Sequence, residues 1–273
     1  MWFAFPSMSN LHPTALVDPR AEIHETAAVG PYAVIEGRVA LGANCRVGPH
    51  CHLLEGTVLG EDNRLHAGVV LGDAPQDLAY RGASTGLRIG RGNTFREHVT
   101  VHRGTQEGTF TEIGDDNTFM AHCHVGHNSR VGCHAILANG VLLGGYVEIQ
   151  DRAFLGGGAV VHQFCRIGTL AILRGLARIS KDVPPYCMAV ENNELVGLNA
   201  VGMKRTGFTL EQRAALKKAY ATLFLSEHNL SQAIAEIERA SQTAEVEGLI
   251  RFLRESSRGV ARARRRPTIA PDE

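Results

Sequence analysis

Histidine is unevenly placed along this chain. Of its 13 histidines, four fall within Ala121-His122-Cys123-His124-Val125-Gly126-His127-Asn128-Ser129-Arg130-Val131-Gly132-Cys133-His134. An imidazole with an ordinary pKa near 6.5 can take a proton near neutrality and give it back, which suits general acid–base work. A single outward histidine is usually decorative, but a cluster of this density is harder to dismiss. The same residue type offers a second chemistry. His122 and His127, together with His102, imitate the three-imidazole set that holds Zn²⁺ with its fourth position open.

The elements that must position these residues are written in a period of six. Starting at Val17 and stepping by six, 25 of the 28 positions to Ile179 carry Val, Ile, Leu or Phe, with Asp77, Ala83 and Glu107 as the exceptions. That period fits neither a helix at 3.6 nor a lone strand at 2. It is the signature of a parallel β-helix. Each hexapeptide supplies one short strand and one corner, so three make an 18-residue triangular coil, and the aliphatic points inward on every side. Gly often follows the inward residue, as at Gly30, Gly42, Gly126, Gly132 and Gly156, and small residues such as Ala33, Cys51, Cys123 and Ala135 fit near the corners. The six cysteines fall mostly at such positions and lack metal-type pairing, so they read as reduced core residues of a cytoplasmic protein. Coils stack at roughly 4.8 Å, and about nine of them follow from the length of the repeat.

Stacking turns the period into a map. Residues 18 apart lie one above the other, so His127, Gly145 and Gln163 form one column, and Gly144 and His162 form the next. A histidine beside a bare glycine backbone suits acyl transfer. The imidazole takes the proton of an attacking hydroxyl, and the Gly145 N–H holds the developing oxyanion, a donor worth roughly 3–4 kcal/mol in a preorganised site.

Residues 72–88 and 102–112 leave the repeat and read as loops raised on a rigid scaffold, where ligand contacts gather. The repeat stops near Ser180, and the expected division is a β-helix over residues 11–190 and a helical domain over residues 191–273. Thr209 with Gln212 reads as a capping box, Asn229 with Gln232 opens a second helix, and Val246, Leu249, Ile250 and Leu253 mark a third, ended by Gly259. Arg251, Arg254, Arg258, Arg262, Arg264, Arg265 and Arg266 make the end of the chain basic, a solvated face or a dock for an acidic partner. Lys+Arg and Asp+Glu both number 28, which gives no argument for nucleic acid. No apolar run reaches the roughly 18 residues of a membrane helix, and the opening Met1-Trp2-Phe3-Ala4-Phe5-Pro6 is too short for a signal peptide.

An ordered set of segments resembles the bacterial UDP-N-acetylglucosamine O-acyltransferases that begin lipid A synthesis. The set comprises Gly72-Asp73-Ala74-Pro75-Gln76-Asp77-Leu78, Arg96-Glu97, Arg103-Gly104-Thr105, His124-Val125-Gly126-His127 and Ile136-Leu137-Ala138-Asn139. It continues with His162-Gln163-Phe164-Cys165, Asp182-Val183-Pro184-Pro185-Tyr186, Met203-Lys204-Arg205 and Gly207-Phe208. The resemblance implies a left-handed β-helix with a C-terminal α-helical domain, assembled as a homotrimer with active sites between subunits. It implies transfer of a 3-hydroxyacyl group from acyl carrier protein to the sugar 3-position of UDP-N-acetylglucosamine, with no cofactor and no metal. By the same resemblance, His127 is the general base and Gly145 the oxyanion donor. Gln76 and Asp77 contact the sugar, and His124, His162 and Gln163 line the nucleotide-sugar and acyl sites. Asn199 joins the substrate contacts, Arg205 binds the nucleotide end, and Gly175 falls where acyl length is measured. This sequence departs from the family pattern at Asn128, where a carboxylate is usual, and at Ala79, Tyr146, Val201 and Thr206. The departures cluster on substrate contacts. They leave open an acceptor such as a sugar with a 3-amine, alongside the zinc carbonic anhydrase-like reading and a non-catalytic sugar-binding module.

Overall fold

The computed structural model describes residues 10–239 and 243–263. The opening apolar segment and Arg264, Arg265 and Arg266 lie outside the described residues. Short strands recur every six residues and stack into three sheets of nine, eight and eleven strands, parallel throughout except for one antiparallel pair at the end of the third. Sheet I runs from Leu16–Val17 to Arg178–Ile179, sheet II from Glu22–Ile23 to Arg166–Ile167, and sheet III begins at Ala28–Val29. The coils wind left-handed, as the resemblance implied. Consecutive strands belong to different sheets, and each hydrogen-bonds to the strand one coil away, as in Val125↔Val101 and Val125↔Leu143.

The aliphatic column fills the interior. Leu53, Leu71, Val101, Val125, Leu137 and Leu155 are fully buried, each worth roughly 1.5–3 kcal/mol against exposure. Phe95 and Phe119 occupy consecutive coils with ring centroids 4.8 Å apart and planes within 4°. Corners are tight, and many non-glycine residues there adopt positive φ, among them Asn128 at 57° and Tyr146 at 58°. One corner is held from inside by buried amides. Asn63 Oδ1 accepts from Asn93 Nδ2 at 3.1 Å, and Asn93 Oδ1 accepts from Asn117 Nδ2 at 3.0 Å.

The three outer faces differ. Sheet II carries a ladder of alternating charge, with Arg130 Nε 3.2 Å from Glu112 and Arg166 Nε 3.3 Å from Glu148. Sheets I and III present Leu16, Leu142, Ile136 and Phe154 to the surface without such a ladder, while sheet II exposes Val58 beside its charges.

Residue 190 ends one arm of a hairpin, Cys187–Val190 with Glu194–Leu198, which carries sheet III past the repeat. Four helices follow: α1 (Ala200–Arg205), α2 (Leu210–Phe224), α3 (Leu230–Glu238) and α4 (Ala244–Arg254). The capping boxes of Thr209 with Gln212 and Asn229 with Gln232 are both formed. The third expected helix, α4, ends at Arg254 rather than at Gly259. Gly259 is drawn away because its carbonyl accepts the Asp182 N–H at 2.9 Å, so the chain turns back along the last coil. α1 was not anticipated; it is a short helix capped by Asn199, whose Oδ1 accepts from Gly202 N at 2.8 Å. No helix among the described residues is long and apolar enough to cross a membrane.

Candidate active site

The corner between sheets I and II gathers the chemistry. Strand His124–Val125 delivers His127 and Asn128 into it, and Leu142–Leu143 delivers Gly145 and Tyr146 one coil above. Val160–Val161 then delivers His162, Gln163 and Phe164. Both loop excursions leave from this same corner, one between Val70–Asp73 and Gly86–Ile89, the other between Thr100–His102 and Phe110–Ile113.

The His127 ring lies on Gly145. A Cβ built on Gly145 would stand 2.4 Å from both Cε1 and Nε2 of the imidazole. Glycine is therefore required here by the ring and not by a left-handed backbone. Among the described residues the Gly145 N–H has no acceptor, while the flanking Gly144 and Tyr146 N–H groups donate to Val161 and His127 carbonyls. The residue over which the imidazole lies thus keeps an N–H with no internal acceptor.

The tautomer of His127 follows from its neighbours. Thr105 donates its backbone N–H to Asn128 Oδ1 at 3.0 Å, and an N–H has only a proton to offer, so this end of the amide is the oxygen. His127 Nδ1 lies 3.1 Å from the same oxygen and must be the protonated nitrogen. Nε2 is left with its lone pair free. Thr105 Oγ1 also donates to Asn128 Oδ1, at 2.9 Å, so it accepts from the Tyr146 hydroxyl at 3.2 Å. The chain of donors runs from Tyr146 through Thr105 to Asn128, and its end holds the imidazole. Tyr146 meets the His127 ring edge-on at 5.3 Å and stacks on Phe164 at 5.0 Å, which walls the upper side.

Below this pair, His124 packs edge-on against His102 at 4.7 Å, and its Nδ1 pairs with Thr100 Oγ1 at 2.8 Å. Burial, then the charges of His102 and His127, push His124 down to about 4. His102 is buried, with no partner at Nδ1 among the described residues, and burial lowers its pKa while Asp73 opposes the shift. Three imidazoles therefore face one small region, two of them held in the neutral form. His122 is not among them. It sits at the sheet III–sheet I corner, stacked on His98 at 5.3 Å, so within the chain it cannot complete a metal set with His127. No group of His, Cys, Asp or Glu suited to a metal ion forms among the described residues.

The remaining sequence-derived residues divide. Gln76 and Asp77 ride the first loop, where Asp77 Oδ1 accepts from Ala79 N at 2.9 Å and Gln76 is exposed. The loops brace each other through Glu107, which accepts the Ser84 N–H at 2.8 Å. Gly175, Asn199 and Arg205 are not brought to His127 within the chain. Gly175 lies at the sheet III–sheet I corner, and Arg205 ends α1. Asn199 is buried and its amide is engaged internally, by Gly202 N and by the Leu170 carbonyl at 2.9 Å. Sequence reasoning gave Thr105 and Tyr146 no part in holding Asn128. The hydroxyl at position 105 sits in a matched motif, but its reach to Asn128 depends on how the second loop folds back.

Comparison with known proteins places the chain in a family. Residues 182–261 match the family model for domain 2 of UDP-N-acetylglucosamine O-acyltransferase. The acyl-[acyl-carrier-protein]–UDP-N-acetylglucosamine O-acyltransferase of Anaeromyxobacter sp. (strain Fw109-5) is 48% identical over 255 residues, covering 92% of this chain and 99% of the relative. The enzyme of the same name from Halorhodospira halophila is 42% identical over 262 residues, covering 93% and 100%. The solved UDP-N-acetylglucosamine acyltransferase of Francisella novicida superposes with a TM-score of 0.88 at 34% identity, covering 94% of this chain and 95% of that one. Identity of this extent, along both the coils and the helical end, means that the chain belongs to the acyl-[acyl-carrier-protein]–UDP-N-acetylglucosamine O-acyltransferase family.

Proposed function

We propose that this protein transfers a 3-hydroxyacyl group from acyl carrier protein to the 3-hydroxyl of UDP-N-acetylglucosamine, the first step of lipid A synthesis. The observation that carries the reading is the His127 ring seated on Gly145 with Nδ1 tied to Asn128. Nε2 takes the proton of the sugar hydroxyl as its oxygen attacks the thioester carbonyl. The Gly145 N–H receives the oxyanion. Collapse of the tetrahedral species breaks the C–S bond, and the proton on His127 passes to the departing thiolate of the carrier. No cofactor enters these steps. The neutral His124 and the buried His102 offer uncharged donors and acceptors to the sugar, with Gln76 and Asp77 closing from the first loop and His162 and Gln163 from above.

The assembly is a homotrimer working in the cytoplasm. Apolar side chains on sheets I and III, set against the charge ladder on sheet II, favour contacts through the first two faces. Contact of sheet I on one copy with sheet III on the next is heterologous, and the roughly triangular coil supplies a rotation of about a third of a turn, with which such contacts close into a three-membered ring. In that ring Gly175, Asn199 and Arg205, remote from His127 within one chain, reach the site only from a neighbouring copy.

His127→Ala tests the chemistry. The variant is expected to retain the wild-type oligomer and lose at least ~100-fold in kcat. Activity near wild type would remove His127 from the role of base. A second acceptor is favoured by one observation, the neutral amide of Asn128 where a carboxylate would stabilise an imidazolium better. A 3-amino sugar attacks as the free amine and needs less of the base. Mass spectrometry of products from paired 3-hydroxyl and 3-amino nucleotide sugars separates the two acceptors.

A further inference from the structure

The chain returns from the helical end to the active edge. After α4 it runs back along the last coil, where Asp182 pairs with Val260 and Ala261 N donates to the Asp182 carbonyl at 2.9 Å. Arg262–Ala263 then pairs with Glu194–Leu195 in sheet III. Between these anchors and α4 stands Arg258. Its Nη2 lies 3.3 Å from the Ser180 carbonyl and 3.2 Å from His162 Nδ1, across 96 residues of sequence. The guanidinium also lies near Cys165, whose thiol burial pushes up to about 11 against the opposing charge of Arg258.

His162 Nδ1 faces two groups of opposite character. One is the Gln163 carbonyl at 3.2 Å, which would accept a proton from it. The other is the Arg258 guanidinium, which has only protons to give. An Nδ1–H would point one N–H at another and face a positive charge. An unprotonated Nδ1 accepts from the guanidinium without conflict. The proton of the neutral ring then sits on Nε2, away from the scaffold. His162 stands one coil above Gly144, beside Gln163, whose N is 2.8 Å from where a Gly144 Cβ would be.

We propose that Arg258 is a positioning residue of the active site: it fixes His162 as the Nε2–H tautomer, so that this ring donates a hydrogen bond to an oxygen of the bound substrate. The proposal rests on the acyltransferase reading for the identity of that substrate, and on the Arg258–His162 contact for everything else. It gives the C-terminal return segment a part in the reaction site beyond closing the end of the β-helix.

The test joins a spectroscopic readout to kinetics. In the full-length protein labelled with ¹⁵N-histidine, long-range ¹H–¹⁵N spectra report which nitrogen of His162 carries the proton, assigned by its loss in His162→Gln. The expected result is Nε2–H in the wild type and a shift towards Nδ1–H, now bonded to the Gln163 carbonyl, in Arg258→Met. With UDP-N-acetylglucosamine and a 3-hydroxyacyl carrier protein, Arg258→Met should lose about 5- to 20-fold in kcat/KM, while Arg258→Lys, which keeps a cationic donor, stays within about threefold. Adding Arg258→Met to His162→Gln should cost nothing further. Nδ1–H in the wild-type protein overturns the proposal, and this measurement stands even if Arg258→Met fails to fold. An equal loss from Arg258→Met with and without His162 also overturns it, because the arginine would then act only through the fold. Failure of the acyltransferase reading would appear separately, as no turnover in the wild type with an unaltered Nε2–H signal.

Discussion

Replacing Gly145 by alanine isolates the contact on which the site is built. The new methyl would lie 2.4 Å from Cε1 and Nε2 of His127, whereas ordinary contacts begin near 3.4 Å. The ring must therefore retreat by about 1 Å, and misplacement of a reacting group by that amount costs on the order of 100-fold in rate. Backbone conformation offers no competing explanation, since Gly145 is not among the positive-φ glycines. A control of the same chemistry is Gly157→Ala, where the nearest atom to the added methyl is the Asn139 carbonyl oxygen at 3.4 Å. Steady-state rates and thermal midpoints are measured for both. The expected outcome is a kcat near 1% of wild type for Gly145→Ala, and activity within about twofold for Gly157→Ala, with midpoints of the two variants within a few degrees. The double variant His127→Ala/Gly145→Ala should be no slower than His127→Ala, because the methyl then fills space the ring has left. Two results would refute the reasoning: a Gly145→Ala enzyme of nearly full activity, or a methyl that slows the His127→Ala enzyme as much as it slows the wild type.

Further outcomes follow from the same geometry. Thr105→Val keeps the backbone N–H on Asn128 but removes the hydroxyl that bonds it at 2.9 Å. A loss of about 3- to 10-fold in kcat with little change in KM is expected, read by steady-state kinetics; an unchanged kcat would show that the amide needs no second anchor. His124 makes the fold acid-sensitive. Burial lowers its pKa from the ordinary 6.5 to about 4 on folding, so the unfolded chain binds the proton first as the pH drops. Stability is fully present above pH 6.5 and declines between 6.5 and about 4, by roughly 3 kcal/mol at most. His124→Gln should flatten that window in urea titrations at stepped pH, and an undiminished slope would assign the acid sensitivity to other groups.

The six-residue period determined a parallel β-helix without help from the structure, because an inward aliphatic on every side sets three short strands to each stacked coil, and the family resemblance supplied its left hand. The same register paired His127 with Gly145 and Gly144 with His162, since vertical neighbours in a coil are fixed by counting. The capping boxes of α2 and α3 were equally legible, being local hydrogen bonds between residues three apart. What counting cannot reach is whatever depends on chain that leaves the register. Thr105 meets Asn128 only because the second loop folds back over the corner, and this contact fixes the amide and, through it, the His127 tautomer. His102 sits in the outward phase yet is buried. The distance between Arg258 and His162 is set by where α4 ends and how the return segment pairs with the last coil. The repeat thus wrote the positions of the proposed reacting groups into the sequence as an arithmetic of eighteen. Their protonation and orientation were decided by hydrogen bonds from distant segments, which only the folded chain brings together.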